Sequence, residues 1–222
     1  MIKKALYLVC LIGVSTITFG QENSKSKFGY GMSFGFGNST LENNQLGILN
    51  GNLLSLRFNV DYSLTKKENT KIISGIEILD FNSNFFNGVN QSKLKNEYLQ
   101  IPLKITHRIN LDKDEKFNLV TGVGLYSNFL LRSRITSLTD EVNTKSGGVN
   151  LGYNFTLGME YNLSSSSSIR LHSDVMYELN PIKSNGYEQK QSEILLLSIG
   201  FATKFWLKLP PTAVCKNGGF RA

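Results

Sequence analysis

His172 and Asp174 stand two positions apart in SIRLHSDVMYEL. That spacing puts both side chains on one face of a β-strand. An imidazole beside a carboxylate is the beginning of general acid–base chemistry, and some barrel enzymes pair the two. Neither a nucleophile nor a group to hold an oxyanion accompanies them. The pair is therefore read as part of an ionic network, and no catalytic residue is assigned. Glu77, Glu160 and Glu178 could supply an acid pair, but they could equally neutralise Arg57, Lys104 and Arg170, with Asp61 beside them. His107 lies near a turn and reads as solvated. LDKDE (111–115) lacks the spaced glycine and closing glutamate of a calcium loop. GYGMSFGFG (29–37) is followed by no helix and so is not a phosphate loop. No cofactor and no metal is assigned.

What would position these charges is a set of strands. NLLSLRFNVDYSL (52–64) alternates Leu54, Leu56, Phe58, Val60 and Tyr62 with Ser55, Arg57, Asn59, Asp61 and Ser63. Strict period two over this length specifies a strand with one apolar and one polar face. The pattern recurs at 27–37, 70–81, 96–109, 116–131, 148–163, 168–179 and 192–205, less cleanly at 70–81. Eight strands result, and no helical period competes. Each holds roughly the 9–11 residues that cross a bilayer when tilted. Short polar connections (TKKEN, NLDKDE, SSSSS) alternate with longer segments at about 38–51, 82–95, 132–147 and 180–191. Short turns at one end and long loops at the other predict an all-β, eight-stranded antiparallel up-and-down transmembrane β-barrel, with its short turns and both termini on the periplasmic side.

The polar face decides which way the strands point. It carries Gly29, Gly31, Gly35, Gly37, Gly122, Gly124, Gly152, Gly158 and Gly200. Glycine weakens an open strand surface, but in a narrow lumen it leaves room for large neighbours. Leu54, Leu56, Phe58 and Val60 are therefore expected to face lipid. Arg57, Asp61, Glu77, Lys104, Glu160, Arg170, His172, Asp174 and Glu178 are expected to form a polar network in the lumen. Phe28, Tyr62, Phe117, Tyr161 and Phe205 fall at one end of their strands, and Phe36, Phe129, Tyr153 and Tyr177 toward the other, as two interfacial girdles would. Pro102, which cannot donate to a ladder, predicts a bulge or bend. Phe85 and Phe86 stand out as aromatics in an otherwise polar loop.

The chain divides into three parts. Residues 1–20, with Lys3 and Lys4 before a short apolar run, read as a secretory signal peptide. Residues 21–207 read as the barrel domain. After Pro210 and Pro211, residues 208–222 have no period and read as a disordered tail. Losing Lys3 and Lys4 would lower the formal charge of +7 by two. The basic residues are scattered, which argues against nucleic acid. Cys10 falls in the leader, so Cys215 has no intramolecular partner.

NEYLQIPLKITHRI (96–109) contains Tyr98-Leu99-Gln100-Ile101-Pro102-Leu103. This run resembles the YLxIPL strand of an outer-membrane β-barrel domain family common in Bacteroidetes. GVGLY (122–126), SIGFATKF (198–205) and the Gly20–Gln21 cleavage site are similar to that family too. The resemblance implies a porin-like fold, contact with outer-membrane lipid and the outer-membrane assembly machinery, and export to the outer membrane. One branch is similar to a barrel that serves protein secretion and gliding, which would imply envelope or secretion proteins as partners of the loops. The function expected is that of a small barrel with a structural, adhesive or envelope-complex role, not a general pore. The alternatives are a membrane barrel component of a protein secretion or gliding machinery and, after it, a secreted lipocalin-like small-molecule binder or a barrel enzyme.

Overall fold

The computed structural model describes residues 27–65, 68–87, 90–137, 141–144, 148–184 and 187–204. The expected leader, Phe205, Cys10, Cys215 and the 208–222 tail lie outside them. Ten strands are present among the described residues: β1 (Phe28–Asn43), β2 (Gly47–Ser63), β3 (Thr70–Asn87), β4 (Asn90–Asn110), β5 (Phe117–Thr136), β6 (Glu141–Thr144), β7 (Val149–Asn162), β8 (Ser167–Glu178), β9 (Ile182–Ser184) and β10 (Tyr187–Lys204). The eight long ones follow one another as antiparallel neighbours, and β1 pairs with β10 to close the barrel. The two short ones are side arms: β6 pairs with β5, and β9 with β10.

Each of the short turns is closed by its own hydrogen bonds. Leu64, Leu111 and Leu163 each donate N–H to the carbonyl of Thr70, Phe117 and Ser167, all at 2.9 Å. Asp112 accepts from the backbone N–H of Phe117 (2.9 Å) and Lys116 (3.1 Å), so this acidic loop uses its carboxylate to build the turn. Glu68 and Glu115 complete their turns at positive φ (58° and 54°).

The opposite end differs from the expected long loops. The segments 38–51, 82–95, 132–147 and 180–191 consist largely of strand. β4 runs for 21 residues and β5 for 20, whereas β7 and β8 have 14 and 12. A tilted crossing uses about 9–11, so β1–β5 and β10 rise as a wall above the β7–β8 side.

A change of phase marks where this wall begins. Toward the short turns the apolar residues point outward: Ile76 and Ile78, Ile101 and Leu103, Leu54 and Phe58 are exposed. Toward the tall end the apolar residues turn inward. Leu41, Leu49, Leu53, Leu79, Phe81, Leu94, Tyr98, Met176, Ile194 and Leu196 form a buried cluster, while Asn84, Lys93 and Asn50 face out. The apolar doublets Leu53–Leu54, Ile78–Leu79 and Tyr98–Leu99 sit at the crossover. Alternation at 70–81 is imperfect because the strand passes through this level.

The outward aromatics gather in cross-strand pairs. Phe28 and Tyr62 face each other with ring centroids 4.9 Å apart, and Phe117 and Tyr161 at 4.7 Å, all near the short turns. Tyr153 and Tyr177 stack at 5.4 Å toward the other end. Phe85 packs against the buried cluster, whereas Phe86 stays exposed; they are neighbours on β3 and not part of a free loop. Pro102 makes no bulge. The β3–β4 ladder keeps its register but is interrupted between Ser74–Leu103 and Glu77–Gln100, and Ser74 Oγ donates to the Pro102 carbonyl at 2.9 Å. The bulge in the β4–β5 pairing lies at Glu97/Tyr98, where Leu131 is the extra residue on β5.

Candidate functional site

The lumen-facing positions of β2, β3, β4, β7 and β8 bring the ionisable residues together in two groups. The first lies deeper in the barrel. Arg57 donates from Nε and Nη2 to the two oxygens of Glu77 (2.9 and 3.0 Å), and from Nη2 to Asp174 Oδ2 (2.8 Å). Lys104 Nζ donates to Asp174 Oδ1 at 2.7 Å, and the Thr156 hydroxyl donates to the same oxygen. His172 Nε2 lies 3.0 Å from Arg57 Nη1. A guanidinium can only donate, so the imidazole accepts there. Its distance to Asp174 is 3.7 Å. The His–Asp pair is thus enclosed by two cations, with both carboxylate oxygens occupied. Two cations meet two carboxylates, and Glu77 and Asp174 are wholly buried. Such a group holds only while every member is paired.

The second group lies next to the short turns. Asp61 Oδ2 accepts from Lys71 Nζ (2.7 Å) and Arg170 Nη2 (3.1 Å). Glu160 accepts from Arg170 Nε (3.1 Å) and Arg108 Nη2 (2.5 Å). Three cations here share two carboxylates. Glu178 joins neither group: it accepts from Asn128 Nδ2 (2.8 Å) and the backbone N–H of Gln191 (2.5 Å) at the far end of β8.

Lys71 and Arg108 escaped the sequence reading. Both are in phase with assigned lumen residues, Lys71 with Glu77 and Arg108 with Lys104, but they stand at strand ends where charge is expected to be solvated. Parity carried to the ends of strands 70–81 and 96–109 would have found them.

Glycine makes this filling possible. A Cβ on Gly124 would lie 2.8 Å from Lys104 Cγ, and one on Gly152 would enter the Tyr126 ring. One on Gly29 would strike Asp61 Oδ1, so the second oxygen of Asp61 turns to the wall. Two spaces stand out among the described residues. A vestibule of about 730 Å³ opens among the short turns, floored by Lys71, Arg108, Arg170, Asp61 and Glu160. A cavity of about 60 Å³ lies deeper, touching Arg57, Lys104 and His172 as well as the same three cations. Beyond the deeper ion group the lumen is packed with the apolar cluster. The arrangement braces five strands from within and offers charge at the mouth among the short turns.

A closed antiparallel barrel with an apolar girdled exterior and a side-chain-filled polar interior has the fold of the small outer-membrane β-barrel proteins. The structure is similar to that of Neisserial surface protein A, with a TM-score of 0.52 and 15% identity over 82% of this chain and 100% of that one. It is likewise similar to a major outer membrane protein from Thermus thermophilus, with a TM-score of 0.53 and 12% identity over 80% of this chain and 99% of that one. No family model and no curated protein matches the chain. None of these matches shows the Bacteroidetes family that the YLQIPL strand resembles.

Proposed function

We propose that the chain is an integral outer-membrane β-barrel that conducts no bulk solute and acts through its raised outer rim, in a structural or adhesive role or as a docking piece for another envelope component. The single observation that carries this reading is the change of phase. On β1–β5, β8 and β10 apolar side chains face out over one stretch and face in beyond it. A strand in water throughout needs no such inversion, whereas a strand leaving lipid for water does. The two aromatic girdles and the fold shared with outer-membrane proteins support the same reading, as does an interior filled by paired ions and a packed apolar cap. A lipocalin-like binder would instead keep an apolar hollow inside and a polar surface outside along its whole height.

Membrane fractionation of cells expressing the full chain, followed by gel electrophoresis with and without boiling, tests this. The protein is expected in the outer-membrane fraction with heat-modifiable mobility. Recovery in the soluble fraction without detergent would overturn the reading. Crosslinking from Phe86 on the raised wall then asks whether an envelope partner is held there.

A further inference from the structure

We infer that the vestibule among the short turns is a binding site for a small oxyanion, a phosphate or a carboxylate, held between Lys71, Arg108 and Arg170. Charge accounting by location carries the inference. The deeper group is balanced, with Arg57 and Lys104 against Glu77 and Asp174. The vestibule floor is not: among the described residues, Lys71, Arg108 and Arg170 face only Asp61 and Glu160 there. Among the described residues around the vestibule mouth, Lys27, Lys116 and Lys204 offset Glu68, Asp114 and Glu115, so the surplus they leave lies on the floor.

The floor is also built to present cations rather than carboxylates. Asp61 and Glu160 are 2% and 4% exposed. Each holds two cations, and the spare oxygen of Asp61 is turned into the space beside Gly29. The same three cations line both the vestibule and the deeper cavity. A buried surplus charge is costly without a counter-charge. An oxyanion at this point would accept charge-assisted hydrogen bonds from three donors already fixed in place. The vestibule volume leaves room for the remainder of a small metabolite attached to it. The site depends on the floor's geometry and holds whichever side of a membrane the vestibule faces.

Titration calorimetry on the refolded full chain in neutral detergent tests the inference, with inorganic phosphate as the probe and acetate in a parallel arm. Saturable one-to-one binding of either supports it, and the arm that binds names the class. Arg108→Gln removes the surplus while leaving Glu160 paired to Arg170, and should weaken binding at least tenfold. Glu160→Gln enlarges the surplus and should tighten binding, an effect that mere loss of structure cannot produce. Lys116→Gln at the rim should change it less than twofold. Heat-modifiable mobility verifies that each variant is folded. Absence of saturable binding in both arms, or a Glu160→Gln variant that binds no tighter than wild type, would overturn the inference.

Discussion

Arg57 on β2 and Asp174 on β8 meet at 2.8 Å across the lumen, although their strands are not hydrogen-bonded neighbours. The contact ties opposite walls of the barrel at a depth where both side chains are nearly inaccessible. Arg57→Ala would leave Glu77 without its bidentate partner and Asp174 with Lys104 and the Thr156 hydroxyl. Breaking a buried ion group by removing one partner costs about 3–5 kcal/mol. Urea titration of the barrel in lipid vesicles should show a loss of that size. The same variant should carry no stable single-channel current, because the apolar cluster beyond the ions still fills the lumen.

The wild-type protein should likewise give no stable current in planar bilayers. Eight-stranded barrels are narrow enough for side chains to fill, and here Leu53, Leu79, Phe81, Tyr98 and Leu196 are buried in the path. Large, ion-selective, long-lived openings would require the cap to be absent and would turn the reading toward a true pore.

Leu157→Arg places a cation on the outward face midway along β7, where the native side chain is 58% exposed. At a bilayer midplane this substitution costs about 2–4 kcal/mol. Asn84→Arg also points outward, but from the raised part of β3, and should cost less than about 1 kcal/mol since charge near or beyond the interface is tolerated. Refolding yields and urea midpoints in vesicles compare the two. Equal costs would remove the distinction between the two stretches of wall.

Gly152→Ala should destabilise the barrel by about 1–3 kcal/mol, the usual cost of overpacking, because the new methyl group would enter the Tyr126 ring. Combining it with Tyr126→Ala should recover part of that loss. A double mutant that is merely the sum of its parts would show that the ring is not what excludes a side chain at 152.

An epitope placed between β3 and β4 should be labelled on intact cells, whereas one in the Leu163–Ser166 turn should be labelled only after the outer membrane is opened. Reversed labelling would invert the orientation of the barrel.

Period-two alternation made the eight long strands legible, because residues 54–62 and 149–163 record one face at every second position. The same rule hid the raised wall. Above the crossover the inward residues are few and large, as with Leu41, Leu49 and Leu94, and the outward ones are mostly polar, Ile48 and Phe86 excepted. The segments therefore look like loops to a reading that expects apolar residues on the outward phase. The doublets at 53–54, 78–79 and 98–99 were the visible signal, two adjacent apolar residues serving opposite sides of the wall. Contacts across the lumen were a different matter. Which carboxylate reaches which cation depends on strand tilt and stagger, so the network members could be named from parity but their division into a balanced and an unbalanced group could not. Glu178, assigned by parity alone, proved to be held by amides.

The inward-facing leucines of the raised wall bear on how such a barrel stays where it is put. If its short turns remain behind, the upper halves of β1–β5 must traverse lipid before Leu41, Leu49, Phe81 and Leu94 can find one another. Once packed, that cluster behaves like the head of a rivet closed on the far side. Withdrawal from a membrane would require it to come apart first and its largely polar outer surface to re-enter hydrocarbon, so a barrel seated there would be protected by a barrier to leaving rather than by equilibrium stability alone.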